Sequence, residues 1–289
     1  MFKKKKDQTY QSYWSISWNI FKKNKVAMVC LFIVILLCLI ALFAPLIAPY
    51  DPNKQVLTDR LMKPCGQHWF GTDDLGRDIF SRIIYGCRVS LSVGIISQII
   101  ATVIGYTMGV CAGYYGGKVD SVISFLIQVF SSFPFLLFAM AIMFVLGPGL
   151  INLYLALGLL GWASTARLIR GDVMRLKKME YIDACKVSGG NSFRIIMKHL
   201  LPNCLSTLIV TVTLGIPNAI MSEASLSFLG LGVKAPMASW GSMISFSQPY
   251  IRSATYYSVI PGLAIIITVL AFNMLGDGLG DALDPKLRS

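Results

Sequence analysis

Charge is what this sequence has least of. Only 14% of its 289 residues are Asp, Glu, Lys or Arg, while 55% are hydrophobic, against about 25% charged residues in an ordinary globular domain. That balance excludes a water-soluble fold. The two histidines, His68 and His199, lie far apart, so a metal centre built on imidazole has no basis. Seven cysteines form no CxxC pair, and Cys30, Cys38 and Cys111 sit inside apolar runs as small hydrophobes. Cys65 and Cys87 share one polar segment, and spacing alone leaves their pairing open. The chain also lacks a G-x-x-x-x-G-K-[ST] phosphate loop: Gly116-Gly117-Lys118-Val119 has no hydroxyl residue to hold magnesium. Gly276-Asp277-Gly278-Leu279-Gly280 has the wrong spacing for a dinucleotide loop. No paired carboxylates, His cluster or nucleophile with a base falls in an apolar run, so an enzyme is not expected and no catalytic, cofactor-binding or metal-binding residue is assigned. Asp277, Asp281 and Asp284 read as solvated carboxylates rather than a cation cage.

What the chain has in abundance is apolar runs near or above the roughly 18 to 20 residues that cross a hydrocarbon core. They fall at 26–47, 90–112, 121–146, 151–169, 203–225 and 256–276, which predicts an all-α membrane protein of six spans. The first run is too long for a signal peptide, follows a long basic segment, and ends at Pro45 and Pro49. It is read as an uncleaved span with a cytoplasmic N-terminus. With both termini cytoplasmic, 18 of the 26 Lys and Arg fall inside and 8 outside, as the positive-inside rule requires. The same rule explains the +12 net charge without a nucleic-acid surface.

The expected organisation is a cytoplasmic and interfacial segment at 1–25, a first span at 26–47, an external loop at 48–89, a five-span core at 90–280 and a cytoplasmic tail at 281–289. In the first segment Tyr10, Tyr13, Trp14, Trp18 and Phe21 recur at helical spacing among lysines, the pattern of an amphipathic helix lying in the membrane interface. Gly105, Gly109 and Gly113 leave one helix face bare for close approach by a neighbour. Pro134 and Pro217 fall inside runs and predict a bend or a broken ladder.

Polar residues within runs are few. Gln98, Gln128, Ser131, Ser132, Thr211, Thr213 and Asn218 are candidates for lining a path, or for joining helices by hydrogen bonds. Glu223 lies near the outer end of the fifth run, where a carboxylate suits an external mouth or an interfacial position. The scarcity of ionisable groups argues against an ion-gradient-driven secondary transporter, which needs them near mid-membrane.

The most informative stretch is Arg167 to Pro202, charged and about 35 residues long between two spans. Asp172 to Val187 is compatible with one helix, Gly189 and Gly190 with its stop, and Asn191 or Ser192 with the cap of a second helix running to Pro202. Flanking spans deny such a pair the freedom a DNA-reading helix-turn-helix needs. A docking knob for a cytoplasmic partner is the better reading.

Asp183-Ala184-Cys185, Gly189 and Leu201-Pro202 resemble the cytoplasmic loop motif of ABC importer permeases: E-A-A, three residues, G, nine residues, I, one residue, L-P. Asp183, Cys185 and His199 depart from that pattern in residue type, while the spacing matches throughout. Gly71-Thr-Asp-Asp-Leu-Gly-Arg-Asp78, Glu223-Ala-Ser-Leu-Ser-Phe-Leu-Gly-Leu-Gly232 and Asn273-Met-Leu-Gly-Asp-Gly-Leu-Gly-Asp-Ala-Leu-Asp-Pro285 are similar to segments of the dipeptide, oligopeptide and nickel permeases. The tail and first span resemble the shorter-loop member of the two paralogous permeases. This resemblance implies a type I importer permease fold with a cytoplasmic coupling helix in the bacterial cytoplasmic membrane. It also implies a homologous second permease, two ATPases that bind ATP and Mg, and an extracytoplasmic solute-binding protein. Glu180, Asp183, Ala184, Cys185, Gly189, Leu201 and Pro202 would form the ATPase-docking loop. Peptides are the expected solute, with nickel or another metal chelate as the alternative.

Overall fold

The computed structural model describes residues 13–284. Lys3 to Lys6, Tyr10 and the end of the expected tail, 285–289, lie outside the described residues. All regular structure among the described residues is helical, apart from one isolated bridge between Thr72 and Asp78.

Helix α1, Tyr13–Lys23, leads through Asn24 into α2, Lys25–Leu42, and a short α3, Ala44–Ile47. Asn24 starts α2 by accepting a hydrogen bond from the Ala27 amide at 3.1 Å, relieving one of the unpaired N–H groups of the first turn. The aromatic stripe of α1 divides. Trp18 stays exposed, but Phe21 is buried against Ala27, Cys30, Ala271 and Leu275, so this helix is pinned to the protein by one face as well as amphipathic.

Helix α4, Ile79–Tyr115, is 37 residues long, about 55 Å at 1.5 Å per residue, whereas the hydrocarbon core is about 30 Å thick. It begins eleven residues before the expected end of the 48–89 loop, so that boundary is corrected: residues 79–89 are helical. They carry no membrane-length hydropathy signal because the helix outruns the hydrocarbon. Asp78 caps it, accepting from the Ser81 amide and hydroxyl at 2.8 Å each, and Gly116 ends it at φ +69°.

Pro134 breaks the third apolar run outright. Helix α5, Gly117–Ser132, and α6, Phe135–Leu146, meet at an 89° bend. Pro217, by contrast, is buried within a helix that stays continuous. Helix α7, Leu150–Leu176, follows, then α8, Glu180–Val187, and α9, Ser192–Ile195. The single helix expected over Asp172 to Val187 is therefore interrupted: Met179 is extended, at φ −81° and ψ 139°. Nor does a second helix stop at Pro202. A π-helical turn, Ile196–Leu200, runs directly into α10, Leu201–Phe228, with Pro202 at the second position of α10. Helix α11, Trp240–Ser247, and α12, Thr255–Leu283, complete the chain.

Four helical stretches are long and apolar enough to cross a membrane: Lys25–Leu42, Ile79–Tyr115, Ser192–Phe228 and Thr255–Leu283. The bent pair α5 and α6 makes a fifth if taken as one span. Helix α7 is 27 residues long and lies against α4 along the glycine stripe. A Cβ on Gly105 would stand 2.7 Å from the Trp162 carbonyl, one on Gly109 2.7 Å from that of Ala166, and one on Gly113 2.9 Å from that of Arg170. Hydrogen therefore has to be the side chain at all three positions, as their spacing predicts. Backbone-to-backbone approach of this kind holds helices together where lipid removes the hydrophobic drive between them.

The segment from residue 48 to 78 folds back on the start of α4 through buried ions. Arg77 Nε donates to Asp73 Oδ2 at 2.6 Å, and the fully buried Arg82 stands 3.4 Å from the same oxygen while donating to the Pro52 carbonyl at 2.9 Å. His68 Nδ1 lies 2.9 Å from Asp78 Oδ1, and Tyr257 of α12 donates to Asp74 at 3.1 Å. The motif noticed in sequence is thus an ionic clasp joining loop, α4 and α12. Cys65 is exposed and Cys87 buried, and both are free thiols.

Candidate functional site

Helices α4, α6, α7, α10 and the end of α12 enclose a lateral cavity of about 1480 Å³, larger than the roughly 300–1,000 Å³ of most small-ligand pockets. Polar positions on α10 repeat at helical spacing, Thr207, Thr211, Asn218 and Ser222, and face Ser97 and Gln98 of α4 and Ser164 and Thr165 of α7 across it. Its charged wall residues are Arg175, in the last turn of α7, and Asp284, at the C-terminal end of α12. The remainder is hydroxyl, amide and apolar surface, able to satisfy neutral polar groups without trapping an ion.

Of the sequence candidates, Gln98, Thr211 and Asn218 are in this wall. Gln98 donates to Thr102 at 3.2 Å, Thr211 to the Thr207 carbonyl at 2.7 Å and Asn218 to the Leu214 carbonyl at 3.1 Å. Gln128, Ser131 and Ser132 are exposed on α5, away from the cavity; Ser131 accepts from Arg167 at 2.9 Å and Ser132 donates to the Gln128 carbonyl at 2.7 Å. Thr213 donates to the Ile209 carbonyl at 2.8 Å and faces away from the cavity wall. Ser206, Thr207 and Ser222 escaped the sequence reading; for Thr207 and Ser222 the available signal was their i, i+4 relation to Thr211 and Asn218.

Glu223 does not stand at an open mouth. It is completely buried, and its Oε1 accepts from Ser227 at 2.6 Å and from Ser239 at 2.7 Å. Ser239 caps α11, whose first residue Trp240 is also buried and donates through Nε1 to the Ile83 carbonyl at 3.1 Å. Glu223 therefore fastens α10 to α11 and, through Trp240, to α4.

At the opposite end stands the segment with the permease-like spacing. Ile182 of α8 is wholly buried among Val110, Ile169, Val173 and Leu200, so the helix is anchored by its centre. Around that anchor Tyr181, Val187, Phe193 and Met197 are exposed, Val187 to 90%. Glu180, Asp183 and Ala184 are exposed, and Asp183 pairs with Lys186 at 2.7 Å. Cys185 is half-buried, its Sγ 3.6 Å from His199 Nε2. Gly189 ends α8 at φ +81°, a conformation glycine adopts freely, and a Cβ there would meet nothing within 4 Å. Pro202, the last residue of the motif, lines the cavity.

The fold and its cavity define a helical integral membrane protein built around a lateral solute-sized opening rather than a catalytic centre. The family model for the inner membrane component of binding-protein-dependent transport systems matches residues 102–289, and that for the N-terminal TM domain of oligopeptide transport permease C matches 12–64. The chain belongs to this family of binding-protein-dependent ABC importer permeases, which are membrane transport subunits and not enzymes. It is 46% identical over 96% of its length to the dipeptide transport system permease protein DppC of Bacillus subtilis (strain 168), covering 87% of that protein. It is 42% identical to the oligopeptide transport system permease protein OppC of the same organism, over 96% of this chain and 91% of that one. With the glutathione transport system permease protein GsiD of Pectobacterium atrosepticum the identity is 41%, over 98% and 95%. The fold is similar to the inward-facing MetNI methionine ABC transporter, with TM-score 0.58 and 19% identity over 71% of this chain and 98% of that chain.

Proposed function

We propose that this chain is one of two paralogous permeases of an ATP-driven peptide importer, crossing the membrane six times with both termini cytoplasmic. In this reading α7 supplies the sixth crossing, its polar residues sheltered against α4, and the clasp over 48–78 stands outside. The exposed apolar rim around Ile182 docks in a groove of a cytoplasmic ATPase, which binds ATP and Mg. A solute-binding protein delivers peptide to the outer face, and the cavity, closed on its open side by the second permease, carries it. Neutral hydroxyl and amide walls suit peptide bonds, and weak binding at several sites lets the solute leave.

Pro202 carries this reading: one residue belongs both to the docking motif and to the cavity wall. Movement of the knob by a closing ATPase pair therefore acts directly on the path, as a population shift between two packings.

Uptake by vesicles holding the assembled importer tests the reading. Di- or tripeptide uptake should require ATP and both permeases, while the isolated chain should transport nothing under an imposed proton or sodium gradient. Gradient-driven uptake by the isolated chain would overturn it, and uptake of a nickel chelate in place of peptide would replace the solute. Lys54→Cys and Lys234→Cys should both react with an impermeant thiol reagent in intact cells; protection of both until permeabilisation would invert the topology.

A further inference from the structure

A second, smaller pocket of about 370 Å³ lies at the end of the molecule that bears the ionic clasp. Arg88, Tyr85 and Ser92 of α4, Tyr154 of α7 and Asn53 of the loop contribute its polar wall. Arg88 is the one charged residue in that wall, and among the described residues its guanidinium has neither an ion-pair nor a hydrogen-bond partner. It is exposed. Arg77 and Arg82 at this end are engaged by Asp73, and Arg60 by the Tyr250 hydroxyl at 3.0 Å; Arg252, exposed at the same end, does not line the pocket. Ser92 donates to the Val89 carbonyl at 2.7 Å and lies 2.8 Å from the Tyr154 hydroxyl, which fixes that ring at the pocket edge. Tyr85, one helical turn before Arg88 and Val89, adds a hydroxyl that has no hydrogen-bond partner among the described residues.

The pocket lies in register with the main cavity. On α7, Leu150 and Tyr154 line the pocket, and Leu157, Gly161, Ser164 and Leu168 line the cavity. Their three- and four-residue spacing makes a single stripe of the helix. Val93 and Leu153, buried in one cluster with the cavity-lining Leu157, pack beside this stripe.

We propose that this pocket is a carboxylate-binding site, in which Arg88 and the Tyr85 hydroxyl hold the C-terminal carboxylate of a small peptide just outside the closed path. A guanidinium matches a carboxylate with two parallel N–H donors, and charge-assisted bonds of this kind are about twice as strong as neutral ones. With no acidic residue in the wall, the site favours anions over the peptide's ammonium end. That the carboxylate belongs to a peptide rests on the importer reading above; the site itself rests on the unpaired arginine and the shared stripe.

Two measurements test it on the assembled importer. In equilibrium dialysis without binding protein, radiolabelled dialanine should bind, and Arg88→Gln should weaken binding by about tenfold or more, the scale of one lost charged hydrogen-bond pair. Tyr85→Phe should weaken it several-fold, and dialanine amide should bind wild type and Arg88→Gln equally poorly. In uptake assays, Arg88→Gln should raise KM for dialanine while leaving maximal rate and ATPase docking unchanged. Dialanine binding unaffected by Arg88→Gln overturns the site. Equal loss of dialanine and amide uptake in Arg88→Gln, with reduced capture of the binding protein, also overturns it and makes Arg88 a protein contact. Arg88-dependent binding without ATP-driven uptake in wild type would leave the site standing and sink the peptide-import reading instead.

Discussion

Gly215 of α10 lies directly beneath the carboxamide of Gln98 on α4: a Cβ at position 215 would stand 2.1 Å from the Gln98 Oε1. Both residues line the cavity, so the absence of one side chain sets the position of the other. Gly215→Ala should leave the chain inserted and folded, because a terminal carboxamide can swing aside. It should lower uptake severalfold by pushing that group into the path. Gln98→Ala should restore much of the rate in the double variant, as measured in vesicles; no rescue would show that the two do not act together.

The α4–α7 seam has no such slack. Gly109→Leu must displace the backbone carbonyl of Ala166, with the Ile169 Cβ also within 2.9 Å. Overpacking of this kind costs about 1–3 kcal/mol or more. Thermal unfolding in detergent should drop by several degrees, and expression should fall with it. Gly262→Ala, whose Cβ meets nothing within 4 Å, should leave both unchanged.

Asp73 is the hinge pin of the clasp, accepting from the Leu75 and Arg77 amides at 2.9 Å each and facing both Arg77 and Arg82. Asp73→Ala leaves two buried guanidinium groups without their shared carboxylate, a loss of about 3–5 kcal/mol. Limited proteolysis should then cut within 48–78 much faster than in the parent chain. Equal cleavage rates would mean that the ions contribute nothing to holding the loop.

Gly189→Val tests the knob separately from the path. At φ +81° a β-branched residue is strained by about 1–2 kcal/mol, yet nothing nearby is displaced. The variant should insert at near-normal levels, while co-purification with the ATPase and ATP-driven uptake fall together. Normal assembly and uptake would remove this loop from the docking surface.

Much of this arrangement is legible in the sequence, for identifiable reasons. Gly105, Gly109 and Gly113 announce a close helix contact because small residues four apart must share a face, and Ile182's neighbourhood announces a knob because charge and turn formers interrupt two apolar runs. The first eleven residues of α4 are illegible because helix outside the hydrocarbon needs no apolar run. Gln128, Ser131 and Ser132 fall outside this cavity wall, because residue type reveals polarity but not which way a helix face turns. Glu223 looks like a mouth residue until Ser227, in its own helix, and Ser239, sixteen residues on, are seen to enclose it. Pro134 and Pro217 read alike, and only the packing around each separates a right-angle break from an unbroken rod.

That rod has a mechanical meaning. Helix α10 is 28 residues long, about 42 Å, and begins at the π-helical turn that joins it to the knob. Near its far end Glu223 ties it to the cap of α11 and so to the buried Trp240. A displacement entering at Leu201 cannot dissipate in a loop, because none intervenes. Compliance is confined to two points, the widened turn at Ile196–Leu200 and the missing amide hydrogen at Pro217. In the importer proposed above, the helix would serve as a pushrod with one flexible coupling and one notch, delivering at its α11 end the stroke received at the knob.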